Sequence, residues 1–277
     1  MSDIINAKEL RYLKEILREC AEYQRKRNSD NNFKVFEKDD GSPVTDVDLW
    51  SNEFLNEKLS AKFPGIPYIG EENEDHSYPL NSEYIWFVDP IDGTKHFIEK
   101  RGQFFILIGL VRNGKPIAGF YLEPKSGTLV YTLPNTDVLT ISLWKPNEAD
   151  KKMNINVETL PNHLTMKRIP AELRNQIASK SGFERSRYMD DVHAALAPLF
   201  NRSSGLLMNR KTHFWDICAP AAIMNNMGFD IQLVKDGHNI LMNKGNLFCD
   251  FVSVLPKESA KNVLPHVPYL NYPKDAD

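Results

Sequence analysis

Apolar residues recur at helical spacing over residues 6–26, where Leu10, Leu13, Ile16, Leu17, Cys20 and Ala21 share one stripe and Lys, Arg and Glu fill the rest. The pattern predicts an amphipathic helix packed on a core, with Arg25, Lys26 and Arg27 as its solvated C-terminal end. Residues 28–41 are polar apart from a short apolar run at 33–36. Thr45 followed by Asp48 has the form of a capping box, and Trp50, Phe54, Leu55 and Leu59 make the buried stripe of a second helix. Residues 63–69 read as a loop and short strand emptying into Gly70-Glu71-Glu72, and 73–82 as polar linker. The apolar run at 84–88 predicts a buried strand stopped at Pro90. A second apolar strand covers 104–111, Asn113-Gly114 is a strong hairpin signal, and 116–122 return antiparallel. Residues 127–133 and 138–144 continue the β-structure, so the first half predicts helices covering an antiparallel sheet.

Residues 145–170 are polar and turn-rich, which places a soft boundary near 140–150 and divides the chain into lobes at 1–145 and 146–277. Beyond it, 177–182 read as a strand ending in a small, polar, glycine-bearing loop, and 192–200 as a helix. His213-Phe214-Trp215-Asp216 opens a helix that runs to Met227 and stops at Gly228. Pro220 is expected in its first turn, which puts Asp216 near the helix N-terminus. Residues 229–234, a turn at Lys235-Asp236-Gly237, and short strands at 239–242 and 247–254 complete the second lobe.

With 277 residues, 42% of them hydrophobic, the chain can bury a sizeable core, as one large domain or two lobes. A net charge of −3 gives no electrostatic footprint for nucleic acid or a membrane surface. Cys20, Cys218 and Cys249 lie far apart with no CxxC, an odd count that argues against a disulfide framework or zinc site. The N-terminal residues do not resemble a signal peptide and no apolar run has membrane-spanning length, so a cytoplasmic protein is expected.

The chemistry concentrates where the 84–88 strand ends, in Asp89-Pro90-Ile91-Asp92-Gly93-Thr94-Lys95. Pro90 stiffens the turn and Gly93 lets the backbone approach a ligand closely. Two hard oxygen donors with free amides beyond them suit a hard divalent cation and a phosphate. Read alone, Asp48 is a first-turn carboxylate that complements its helix dipole, and Asp216 is either cap or ligand at its own helix start.

Gly70-Glu71-Glu72, then Asp89-Pro90-Ile91-Asp92-Gly93-Thr94, then Trp215-Asp216 resembles the ordered signature of the inositol monophosphatase family, with Ser42-Pro43-Val44-Thr45 and Asp48 upstream. Within it, Lys95-His96-Phe97-Ile98, Gly114-Lys115-Pro116-Ile117-Ala118-Gly119 and Glu123-Pro124 look like the CysQ-type 3′(2′),5′-bisphosphate nucleotidases. The resemblance implies an α/β (α+β) chain folded as a layered α/β/α/β/α sandwich of the sugar-phosphatase type. It implies Glu71, Asp89, the Ile91 carbonyl, Asp92 and Asp216 as ligands for two or three Mg²⁺, with Glu72 ranked lower. Asp48 paired with Thr94, together with Glu71, would carry the catalytic step, activating water for in-line attack. Gly93, Thr94, Lys95 and Asp216, with Ser179 and Lys180 from a Ser-Lys-Ser loop, would contact substrate. The substrate implied is adenosine 3′,5′-bisphosphate, a by-product of sulfate assimilation, with inhibition by Li⁺; family members occur as monomers and as homodimers. The alternatives are an inositol or other sugar-phosphate phosphatase, or a member that binds without turnover. The second lobe departs from the branch pattern, because Arg202-Ser203-Ser204-Gly205-Leu206-Leu207 leads almost directly to Trp215-Asp216 and Lys180 stands where the branch has Arg.

Overall fold

The computed structural model describes residues 4–77, 82–145, 147–185, 193–242 and 247–268. The first stripe folds as α1 (Ala7–Ser29), capped by Asn6, whose side-chain oxygen accepts from the Lys8 amide at 2.8 Å. A two-stranded ribbon, β1 (Val35–Glu37) and β2 (Pro43–Thr45), leads into α2 (Asp46–Lys62) through the expected Thr45–Asp48 capping box. The first large sheet has seven strands in the order of the chain: β3 (Tyr68–Gly70), β4 (Tyr84–Asp92), β5 (Phe105–Arg112), β6 (Lys115–Glu123), β7 (Thr128–Thr132), β8 (Leu139–Ser142) and β9 (Lys151–Lys152). Only β3 and β4 run parallel; β5 and β6 form the hairpin expected at Asn113-Gly114. A short helix, α3 (Thr94–Glu99), separates β4 from β5.

The second sheet contains β10 (His163–Lys167), β11 (Glu184–Arg185), β12 (Gly205–His213), β13 (Phe229–Lys235), β14 (His238–Asn239) and β15 (Phe248–Pro256), in the order β11-β10-β12-β15-β13-β14. Helix α4 (Ala171–Ser181) lies between β10 and β11, α5 (Phe214–Asn226) follows β12, and α6 (Lys257–Val263) follows β15.

Three apolar clusters fix the layers. α1 and α2 pack on one face of the seven-stranded sheet through Leu13, Leu17, Leu55, Trp86 and Phe120. The other face meets α5 and the 3₁₀ turn Ala194–Phe200, which also contact the six-stranded sheet, through Phe87, Leu107, Ile217, Ala219 and Val252. α4 and α6 cover the outer face of that second sheet. The expected α/β/α/β/α layering follows. Two glycines make the central contact. Gly109 and Gly119 pair across β5 and β6, and a Cβ on them would lie 2.3 Å from Cys218 Sγ and 2.4 Å from the Ala219 carbonyl respectively. The bare backbone forms a notch into which α5 settles.

The second half differs from the sequence reading at several places, among them β10, which lies in the 145–170 stretch read as polar and turn-rich. Residues 171–181, whose C-terminal part was expected to be a strand, are helical: Leu173 and Ile177 form a buried i,i+4 pair under an otherwise exposed surface. Gly182 ends that helix with a positive φ of 77°. Residues 194–200 form a 3₁₀ helix rather than an α-helix. Pro220 lies in the second turn of α5, not the first, and the helix tolerates it; Asp216 still sits at the third position. Among the described residues no helix is long and apolar enough to cross a membrane.

Candidate metal centre and active site

Two strand ends converge on one point. β3 runs parallel to β4, so Glu71 emerges beside the end of the 84–88 run, its amide bonded to the Val88 carbonyl at 3.0 Å. At Pro90 the ladder to β5 slips register between Asp89 and Asp92, because proline has no N–H to offer. Asp89 closes the turn on itself, accepting the Ile91 amide on Oδ1 at 3.0 Å. Gly93 then adopts φ 98° and starts α3; a Cβ there would meet the Gln103 carbonyl at 3.2 Å.

Asp48 reaches this turn from α2. It is 1% exposed, and its Oδ2 accepts the Thr45 amide at 2.9 Å and the Thr45 hydroxyl, while Oδ1 accepts the Thr94 hydroxyl at 3.0 Å. Burial pushes its pKa up to about 6 against the pull of those donors, and Glu71 adds to the rise. The cap and the Thr94 partner are therefore one carboxylate using both oxygens.

Asp216 comes from the far half of the chain, at the start of α5, where its Oδ2 accepts the His213 amide at 3.2 Å. Carboxylate oxygens of Glu71, Asp89 and Asp216 lie within 4.8 Å of one another. Burial first, then mutual repulsion, holds Asp89 and Asp216 well above the usual carboxylate range. Asp92 lies outside that trio but lines the same cavity; burial raises it, and Lys167 and Arg210 oppose the rise. Glu72 is held instead by Lys38, whose ammonium spans Glu72 Oε1 at 2.6 Å and Glu71 Oε1 at 2.9 Å. Burial opposes the charge on Lys38, but the two glutamates outweigh it and keep the amine protonated.

The donor set fits a hard divalent cation. It is all oxygen, clustered, and the raised pKa values of its carboxyl groups register burial and crowded charge that the neighbouring cations do not offset. The thiols contribute nothing: all three are buried, and burial pushes Cys20 and Cys249 up to about 12.

The carboxylates line a cavity of about 580 Å³, whose wall also includes Lys167, His193, Arg210 and Lys211. Trp215 is sandwiched between the rings of His76 and His213, with centroids 4.9 and 4.5 Å away. His76 Nε2 also contacts the Gly70 carbonyl at 3.0 Å, tying the loop after β3 to α5.

The structure thus brings Asp48, Glu71, Asp89, Ile91, Asp92, Gly93, Thr94, Lys95 and Asp216 to one place. Ser179 and Lys180 are not there. Both are exposed in the last turn of α4, with the Ser179 hydroxyl bonded to its own helix at Gln176, because the helix turns the Ser-Lys-Ser segment away from the cavity. Lys167 and His193 take the cavity wall, and neither stood out in the sequence: each is a lone polar residue at the end of a short segment. Lys38 and His76 were likewise hidden in stretches that read as polar loop.

The model of the inositol monophosphatase family matches residues 5–268. A 3′(2′),5′-bisphosphate nucleotidase CysQ from Buchnera aphidicola is 30% identical over 229 residues, 76% of this chain and 78% of that protein. CysQ from Haemophilus influenzae is 42% identical over 98 residues, so the aligned part spans only 36% of that relative and 35% of this chain. The crystal structure of CysQ from Bacteroides thetaiotaomicron superposes with a TM-score of 0.68 at 20% identity, covering 87% of this chain and 94% of that one. With its signature residues gathered in one cavity, the chain belongs to the inositol monophosphatase family.

Proposed function

We propose that this chain is a Mg²⁺-dependent phosphomonoesterase that removes the 3′-phosphate of adenosine 3′,5′-bisphosphate. The observation that carries the reading is the mixed charge of one cavity lining: a carboxylate cluster together with Lys167, Arg210 and Lys211. An ester whose scissile phosphate is held through a cation on the carboxylates needs a second anion to use those basic groups, and a bisphosphate has one. The CysQ relatives support the same assignment.

Glu71, Asp89, the Ile91 carbonyl, Asp92 and Asp216 would hold the metal. Bound there, Mg²⁺ supplies charge neutralisation and acidifies water. The chain's own groups do the rest. Thr94 Oγ1 donates its hydrogen bond to Asp48 Oδ1, which leaves the hydroxyl lone pairs to orient an attacking water. A pKa near 6 leaves Asp48 ionised at neutral pH yet basic enough to take the Thr94 proton as Thr94 takes one from the water. The amides of Gly93, Thr94 and Lys95 hold the phosphate oxygens, and the positive φ of Gly93 turns the chain to present them. Residues 1–145 thus supply most of the metal side, and 146–277 supply Asp216 and the basic wall.

Phosphate release from adenosine 3′,5′-bisphosphate and from inositol 1-phosphate, each with Mg²⁺, tests the reading. Faster release from the nucleotide is expected, with Arg210→Ala and Lys167→Ala raising its KM about tenfold or more and leaving that of inositol 1-phosphate unchanged. Preference for inositol 1-phosphate would overturn the substrate assignment.

A further inference from the structure

The buried stripe of α1 does not end where its apolar residues end. It runs Leu13, Leu17, Ala21 and then continues at the same spacing into Gln24, which is 0% exposed, and Asn28, at 8%. A helix that buries two carboxamides one turn apart must satisfy them. Each donates to a backbone carbonyl of the proposed metal-binding segment. Gln24 Nε2 donates to the Pro90 carbonyl at 2.9 Å and to the Ser51 hydroxyl at 3.0 Å; Asn28 Nδ2 donates to the Phe97 carbonyl at 2.7 Å. Those carbonyls are the ones secondary structure leaves over. Pro90 falls in the register slip between Asp89 and Asp92, and Phe97 lies in the last turn of the six-residue α3, whose final carbonyls have no helical donor. Between them lie Ile91, Asp92, Gly93 and Thr94. Neither amide lines the cavity; both act from behind it.

We propose that Gln24 and Asn28 are positioning residues, a two-point amide clamp by which α1 sets the orientation of the Ile91 carbonyl and Asp92 for metal binding. The inference rests on the metal assignment above. A role in stability alone makes a different prediction: folded variants would bind Mg²⁺ as wild type does. Gln24→Met removes the partnerless Oε1 but also leaves the buried Pro90 carbonyl without its donor, so a lower metal-free melting temperature is expected beside the loss of the anchor.

The test is calorimetric titration of metal-free, full-length protein with Mg²⁺ alone, alongside thermal melts. Gln24→Met is expected to weaken Mg²⁺ binding about tenfold or more, in the range found when groups that orient ligands are removed. Asn28→Leu acts in the same direction from the other end and carries the test should Gln24→Met fail to fold. Ser51→Ala, which removes the Gln24 partner outside the segment, should bind Mg²⁺ within about twofold of wild type. Wild-type Mg²⁺ affinity in both folded amide variants would overturn the clamp. No Mg²⁺ binding by wild type would instead overturn the metal reading beneath it.

Discussion

Asp48 shows how one side chain can satisfy two demands without compromise. Its Oδ2 closes the cap of α2 while its Oδ1 takes the Thr94 hydroxyl. Removing the second bond while keeping the first separates stability from turnover. Thr94→Val should therefore lower kcat about 100-fold or more at saturating Mg²⁺, the usual worth of a positioned proton acceptor, with Thr94→Ser recovering most of it. Its melting temperature should stay near wild type. A Thr94→Val enzyme with wild-type kcat would remove the Asp48–Thr94 pair from the reaction. Asp89 makes the opposite trade. It is 2% exposed among like charges, so Asp89→Asn should abolish phosphate release yet raise the melting temperature of metal-free protein by about 3 °C or more. A lower melting temperature in metal-free Asp89→Asn would show that repulsion is not what the carboxylate experiences.

At the level of elements, the position of Asp216 is decided by how closely α5 approaches the first sheet. The Ala219 carbonyl stands where a Cβ on residue 119 would go, and backbone cannot step aside as a flexible side chain can. Gly119→Ala should cost about 1–3 kcal/mol, the usual penalty of overpacking, and weaken Mg²⁺ binding by tilting the helix that carries Asp216. Melts and Mg²⁺ titrations check both; an unchanged Mg²⁺ affinity would uncouple the notch from the metal centre. The elements best read from sequence were those with one dominant period. The stripe of α1, the run at 84–88 and the Asn113-Gly114 turn each had a single consistent solution. Residues 177–182 did not: Ile177 followed by small polar residues suits a strand end or a helix end, and only the partner Leu173 decides. The proposed metal ligands were legible through the family resemblance of their motifs; read locally, only Asp89 and Asp92 pointed to a cation. The basic pair Arg210-Lys211 was open to two readings, phosphate contact or solvated loop, and Lys167 was not legible, since it approaches the cavity only when β10 pairs with β12. Gln24 and Asn28 were readable as an unexpected polar continuation of an apolar stripe, but nothing in the sequence says what they reach.

For the molecule as a whole, the clustered charges set how stability depends on pH. Asp48 at about 6, Glu72 at about 7, and Asp89, Asp92 and Asp216 all titrate higher in the folded state than in an unfolded chain. The metal-free native state therefore binds more protons, and this stabilisation is lost as pH rises. His193 and His213, held down at about 3 and 4 by burial, act in the opposite sense, an effect that fades as pH passes the ordinary histidine value of 6.5. Between pH 6.5 and 8 the carboxylates increasingly set the slope. The melting temperature of metal-free protein should fall across that window, and saturating Mg²⁺ should abolish the fall. A flat metal-free curve would contradict the crowding of charge.

The notch at Gly109 and Gly119 has a consequence for synthesis. A ribosome delivers Glu71, Asp89 and Asp92 well over a hundred residues before Asp216, so the emerging first sheet carries an incomplete chelate. Only when α5 has been made and seated does the fourth carboxylate close the site. Metal then stabilises the finished fold alone, by mass action. On the proposed metal assignment, cation binding certifies a chain translated and folded at least through α5.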